Sequence, residues 1–336
     1  MNRSKGSARW YGYAATGMTL MLALAACTPG DDGDSDTAYP SEDLEIMAPA
    51  DPGGGWDGTA RAMQDALTNG GVVDVGVTVS NVGGAAGTIG LAQFVEQAAG
   101  DPHQLMVMGM VMVGGILTND SAVTLDDVTP IASLTTEWEA IAVVADSEYQ
   151  TLEELITDWQ ADPTSISWGG GSAGGTDHIL IGLMAQEAGI EPDGVNYVAH
   201  AGGGEALAAI LSGAVTAGVS GLSEFRDQVE AGEMRLLGVS SDEPIEGVDS
   251  PTIADAGLDV VLSNWRGVVA PPDISDEERD AIVGLIEELV ASEAWQDLLE
   301  ANGWTEFVQT GEEFEAFLAE EDDRITAVLQ EIGLIE

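Results

Sequence analysis

The sequence predicts an α/β protein with mostly parallel sheets, and three observations carry that prediction. From residue 44 onward, short apolar runs alternate with amphipathic segments of helical period. Residues 105–113 are continuously apolar, as expected for a buried strand covered on both faces. Four times, the end of a predicted strand meets a Gly-rich turn that opens a predicted helix.

In order, the pattern predicts a strand at 44–48, a helix at 59–67, a strand at 75–79, a helix at 89–98 and the strand at 105–113. Strand 140–144 then precedes helix 152–159, strand 165–168 leads into helix 176–188, and strand 195–198 into helix 205–212. Strand 215–220 leads into helix 223–231, and strands follow at 236–240 and 260–270. Helices at 276–292, 293–302 and 311–332 close the pattern.

The four Gly-rich turns are residues 51–57, 81–88, 169–176 and 200–205. Glycines let backbone N–H groups approach a ligand closely, and the free N–H groups of a helix N-terminus favour an anion. In open α/β sheets, ligands sit at the carboxyl ends of the strands, where such turns lie. Four of them on one chain point to a shared ligand cleft rather than to four unrelated tight turns.

Residues 1–26 have the form of a signal peptide. Arg3, Lys5 and Arg9 form a basic start, and residues 14–26 are almost wholly apolar but too short to span a bilayer. The segment ends in Leu24, Ala25, Ala26 and Cys27, which resembles a bacterial lipobox with Cys27 as the acylated residue. Cys27 is the one cysteine, so internal disulfides and Cys-based zinc sites are excluded. Residues 27–43, rich in Asp, Gly, Ser and Pro, read as a flexible acidic tether. Among their aspartates the glycine is misplaced for an EF-hand loop, and no closing Glu follows at the right distance.

From Cys27 onward the chain carries all 59 acids against six arginines (Arg61, Arg226, Arg235, Arg266, Arg279, Arg324) and no lysine. Nucleic acid is excluded as a partner, because nothing could neutralise its phosphates. The balance fits a salt-screened surface of the halophile type. An anion remains an acceptable ligand if neutral, oriented donors hold it at contact distance.

Several motifs compete for a functional reading. Gly169, Gly171 and Gly174 match the spacing of a dinucleotide-binding turn, but the match lies mid-chain with no clear second-strand acid after it. Gly170, Ser172 and Gly174 match a nucleophile elbow on a strand–turn–helix, which leaves a serine hydrolase open. A triad would then need His178 or His200, each at the opening of a local loop–helix unit. A phosphate-binding loop of the lysine type is excluded for want of lysine. Asp57 and Arg61, four apart at a helix start, read either as a local ion pair or with Asp57 shaping the first loop or orienting a bridging water. Trp56 lies within the Gly turn and is expected to wall the cleft, whereas His103 reads as an exposed turn residue.

At these turns the chain resembles the receptor proteins of tripartite tricarboxylate transporters, the Bug or TctC-type family. The resemblance rests on residues 48–57, 81–90, 130–137, 168–178, 197–211, 220–224 and 264–268, which keep family order. It implies a two-lobed, periplasmic-binding-protein-like fold of type II (Venus flytrap), with two crossing segments near Leu134 and Arg266. Lobe one would comprise 44–134 plus 266–336, and lobe two 135–265. Carried over, the ligand-binding candidates on lobe one are Gly53, Gly54, Gly55, Trp56, Asp57, Asn81 and Gly84. On lobe two they are Gly170, Gly171, Ser172, Ala173, Gly174, Thr176, Asp177, Gly202, Gly203 and Ser220. The implied protein is a monomeric, lipid-anchored, extracytoplasmic receptor without cofactor, metal or catalysis. It would hand a small di- or tricarboxylate to transporter membrane subunits, and Trp56 after three glycines looks like the tricarboxylate-type branch. A sensor lipoprotein on the same fold is the other reading the resemblance leaves open.

Overall fold

The computed structural model describes residues 39–336. The signal peptide, Cys27 and most of the acidic tether lie outside the described residues.

Strands β1 (Leu44–Ala48), β2 (Val77–Asn81) and β3 (Gln104–Gly109) form a parallel core, with β1 between the other two. Helices α1 (Gly55–Thr68) and α2 (Thr88–Gln97) connect them. The apolar run predicted as one strand at 105–113 divides at Gly109: β3 stops there and α3 (Met110–Thr118) begins. Uniform apolarity suits a buried helix as well as a buried strand, so periodicity could not separate them. α3 then runs to the second half of the molecule. Gly114 faces the carbonyl of Gly174 there, with no room for a Cβ.

The strand predicted at 140–144 is the end of a far longer one, β4 (Thr129–Val144). Its first part pairs antiparallel with β9 (Ser263–Ala270), and β9 in turn pairs antiparallel with β3. Its last part lies between β7 (Ala217–Gly221) and β8 (Met234–Val239), antiparallel to both. β7 continues in parallel to β5 (Ser167–Gly170), and β5 to β6 (Asn196–Ala199). A short strand, β10 (Thr305–Glu306), adds antiparallel to the first part of β4. The expectation of mostly parallel sheets is therefore corrected: β1 to β3 and β5 to β7 are parallel among themselves, but β4 and β9 join them antiparallel at the centre, and β8 and β10 also pair antiparallel with β4.

Helices α4 (Leu152–Ala161), α5 (Thr176–Glu187), α6 (Gly203–Leu211) and α7 (Leu222–Glu230) accompany β5 to β8. Helices α8 (Asp276–Ala291), α9 (Glu293–Asn302) and α10 (Glu312–Glu331) end the chain. Ser275 opens α8 with a reciprocal capping box to Glu278. The core that covers the strands is mainly apolar, with Trp159, Trp168 and Trp295 among its largest buried side chains. Among the described residues no helix is long and apolar enough to cross a membrane.

Candidate functional site

The carboxyl ends of β1, β5 and β7 and the helices that follow them surround one cleft of about 680 Å³, counting its open mouth. Pro49, Ala50, Gly54, Gly55 and Trp56 line one side, joined by Gly84, Ala86 and Gly87 from the loop before α2. Gly171, Ser172, Gly175, Thr176, Asp177, Ala201, Gly202, Gly203, Ser220, Gly221 and Glu224 line the other. Val111, Asn264 and Arg266 complete the wall. All four Gly-rich turns thus meet at one place. The first N–H groups of α1, α5 and α6 have no partner within their own helices, which makes these termini a ready set of neutral donors.

One device recurs at these helix starts. An acid in the first turn folds back onto the loop before it and fixes the loop. Asp57 accepts the Gly53 N–H at 2.9 Å, Asp177 accepts the Gly171 N–H at 2.6 Å and Glu205 accepts the Ala201 N–H at 3.1 Å. Glu224 accepts the Ser220 hydroxyl at 2.5 Å. The acid also suits the helix dipole.

Asp57 lies under the first turn rather than in the cleft wall. Arg61 pairs with it at 2.9 Å, and the Asn81 amide donates to it at 2.9 Å and to the Ala50 carbonyl at 3.1 Å. Burial works against the charge, but donation from Arg61, Asn81 and Gly53 holds the Asp57 carboxyl below its usual range. Asp57 therefore pairs with Arg61 and also fixes the first loop through the Gly53 N–H. Gly53, Asn81, Gly170, Ala173 and Gly174 likewise sit beside or beneath the cleft and not on its wall. The second loop is bent through left-handed backbone at Gly84 (φ 118), Ala85 (φ 49), Ala86 (φ 53) and Gly87 (φ 89). Two alanines held there carry strain of the kind found at binding sites. Gly87 also lets the Trp56 ring lie against its backbone.

The candidates missed in the sequence are Glu224, Asn264 and Arg266, together with two acids behind the wall, Glu137 and Glu139. Arg266 on β9 is 3% exposed and pairs with Glu137 on β4, which is 2% exposed. Its guanidinium also lies 5.4 Å from the centre of the Trp304 ring and against Gly55 at the start of α1. Glu137 accepts the Ser223 hydroxyl at 2.7 Å as well. Asn264 donates to Glu139 at 2.9 Å and accepts from the Thr176 hydroxyl at 3.3 Å, tying β9 to the start of α5. Glu139 Oε2 is buried without a hydrogen-bond partner among the described residues.

Four carboxyls thus share a region with one cation, and the surroundings shift three of them. Burial pushes Glu139 well above the usual carboxylate range, and the charges of Asp177, Glu137 and Glu224 push it further. Burial raises Asp177 to about 6, against the pull of the Gly171 N–H. Burial likewise raises Glu224 to about 7; the Ser220 hydrogen bond and the Arg266 charge oppose this, while Glu137 and Asp177 add to it.

His178 is no base for Ser172. Its Nδ1 accepts the Gly174 N–H at 3.2 Å, its ring stacks on Tyr197 at 4.1 Å, and burial lowers it to about 4. The Tyr197 hydroxyl donates to the Gly171 carbonyl at 3.0 Å, so this stack braces the third loop. His200 Nε2 is buried with no partner among the described residues. No hydrogen bond among them joins Ser172 to either histidine.

The fold is that of a two-lobed periplasmic binding protein. The solved periplasmic binding protein BugD superposes with a TM-score of 0.79 at 19% identity, over 88% of this chain and 99% of that one. MatC from Rhodopseudomonas palustris, solved with malate, has a TM-score of 0.75 at 20% identity, over 87% of this chain and 100% of that one. An R. palustris protein solved with adipate has a TM-score of 0.78 at 20% identity, over 88% of this chain and 98% of that one. In sequence, protein BugT of Bordetella pertussis is 25% identical over 301 residues, 88% of this chain and 90% of the relative. Residues 59–334 match the family described as tripartite tricarboxylate transporter family receptor, and the chain belongs to it. That family consists of extracytoplasmic solute receptors.

Proposed function

We propose that this protein captures a small di- or tricarboxylate, citrate-like in size and charge, and delivers it to the membrane subunits of a tripartite tricarboxylate transporter. The observation that carries the reading is the meeting of three helix N-termini and the strained 84–87 loop around one cleft. Such a cleft offers many N–H donors and one cation, Arg266, whose charge is already met by Glu137. A ligand carboxylate would be held by backbone donors of Gly54, Gly55 and Trp56 on one lobe and of Ser172, Thr176, Gly202 and Gly203 on the other, with Ser220 beside them. Gly53, Asp57, Asn81, Gly84, Gly170, Ala173, Gly174 and Asp177 would shape the loops that present those donors. The relatives solved with malate and adipate fit this ligand class.

Residues 44–134 with 266–336 would form one lobe and 135–265 the other, with β4 and β9 as the crossings. A ligand bridging both favours the closed arrangement, because only that arrangement completes its hydrogen bonds. The protein would act as a monomer, tethered to the outer face of the membrane through acylated Cys27, and would catalyse no reaction. His178 supports the last point, since its accepting nitrogen is already engaged by Gly174.

A thermal-shift screen of di- and tricarboxylates in high salt tests the reading. A ligand that binds only the folded state raises the melting temperature by an amount that grows with its concentration. A flat response to every carboxylate, with a response to sugars or amines instead, would overturn it.

A further inference from the structure

We propose that the cleft takes up its carboxylate together with a proton, and that Glu224 carries this proton and donates its O–H to a carboxylate oxygen of the ligand. The inference rests on the cleft being the carboxylate site and adds the protonation state in which it works.

The geometry is specific. Glu224 lines the cleft from the first turn of α7. Its Oε2 is held by the Ser220 hydroxyl, and the carboxyl occupies the space that a Cβ on Gly203 would fill. It therefore lies directly on the α6 N-terminus, among the donors a ligand anion would use. No hydrogen bond from the described residues reaches Oε1.

The groups facing Glu224 leave a second carboxylate poorly compensated. From β4 come Glu137 and Glu139, from α5 Asp177, and from β9 Arg266. Arg266 is already paired with Glu137. On α6, Glu205 is turned to the Ala201 N–H, and on β8, Arg235 donates to the carbonyls of Ala145 and Tyr149. On α7 itself, Arg226 donates to the Ala301 carbonyl. None of these brings a free cation to Glu224.

An anion placed against a carboxyl raises its affinity for protons. Burial and the neighbouring acids have already lifted Glu224 to about 7, so a ligand carboxylate moves it above neutral. The proton comes from bulk water, stays on Glu224 while the ligand is bound, and returns to water on release. By linkage the affinity then falls as pH rises through this range, by up to about tenfold per pH unit for one proton. A ligand presenting an ammonium group to the same acids would give the opposite sign.

The test is calorimetric titration of the full-length chain with malate and with adipate, from about pH 6.5 to about pH 8.5, where both probes are ionised. Repeating it in buffers of different ionisation enthalpy counts the protons exchanged. Expected are an affinity that falls with pH, proton uptake of up to about one per ligand, and loss of both in Glu224→Gln. Binding without proton exchange, proton release, or uptake that survives Glu224→Gln each overturns the inference while leaving the carboxylate reading in place. Failure of both probes and of citrate to bind at any pH overturns both. If Glu224→Gln does not fold, a carbon NMR titration of the wild-type carboxyls decides. Glu224 must then titrate at higher pH with malate bound than without it, and an unmoved Glu224 rejects the proposal.

Discussion

Replacing Arg266 with Gln removes the one cation buried among four carboxyls. Arg266 is 3% exposed, Glu137 2% and Glu139 0%, so solvent cannot substitute for the lost charge. Removing one partner of a buried pair costs about 3–5 kcal/mol. Against a total of about 5–15 kcal/mol this is a large share. Loss of packing over Trp304 and against Gly55 adds to it. The assay is urea unfolding of the wild type, Arg266→Gln, Glu137→Gln and the double variant. At about pH 8, above the raised values of Asp177 and Glu224, both of these acids are ionised and Arg266→Gln should lose at least about 3 kcal/mol. At about pH 6 Glu224 has taken up its proton and the loss should shrink. The double variant should recover much of the stability, because the uncompensated carboxylate goes with its partner. An Arg266→Gln protein within about 0.5 kcal/mol of wild type, or a double variant no better than the single, would refute this account of the buried cluster.

Raised carboxyls also set the pH dependence of the ligand-free fold. Glu224 and Asp177 bind protons more tightly folded than unfolded, so between their ordinary values and about 7 and 6 stability falls as pH rises. The melting temperature in fixed salt should therefore climb as pH is lowered from about 8 towards about 5.5, and a monotonic fall would contradict this. Asp57 acts in the opposite sense: its contribution is present at neutral pH and is lost only as strong acid protonates it. Ser172 should resist a fluorophosphonate probe, because neither histidine is hydrogen-bonded to it; stoichiometric labelling at Ser172 would revive a hydrolase. Cys27→Ala should release the protein from salt-washed membranes, and retention there would reject the lipid anchor.

The four Gly-rich turns were legible because each couples a strand end to a helix start, and that local pattern survives into the fold unchanged. Of the acids in these first turns only Asp57 was legible as such; that Asp177, Glu205 and Glu224 share its task of bracing the preceding loop is revealed by the geometry alone. β4 was legible only in its last third. Its earlier part carries Glu137 and Glu139, which read as surface residues in a sequence and are buried here around Arg266 and Asn264. Pairing partners 125 and 129 residues away supply that compensation, so no local window could show it. The break at Gly109 was hidden for a different reason. Apolar residues on both sides of it are equally suited to β3 and to the fully enclosed α3.

The most direct test of the central claim is a titration of wild type and Gly54→Val with malate, adipate and citrate. Gly54 has φ −88, and a Cβ there would meet nothing nearer than the Asp51 carbonyl at 3.8 Å, so the fold should tolerate valine. The added side chain would enter the cleft in front of the α1 N-terminus. Each hydrogen bond to a charged group lost there costs about 1.5–3 kcal/mol, or roughly ten- to a hundredfold in affinity. The account predicts saturable one-to-one binding of at least one of these carboxylates by the wild type. It predicts at least about tenfold weaker binding by a Gly54→Val protein of unchanged ligand-free melting temperature. A Gly54→Val protein that binds like wild type, or a wild type that binds no carboxylate at all, would contradict it.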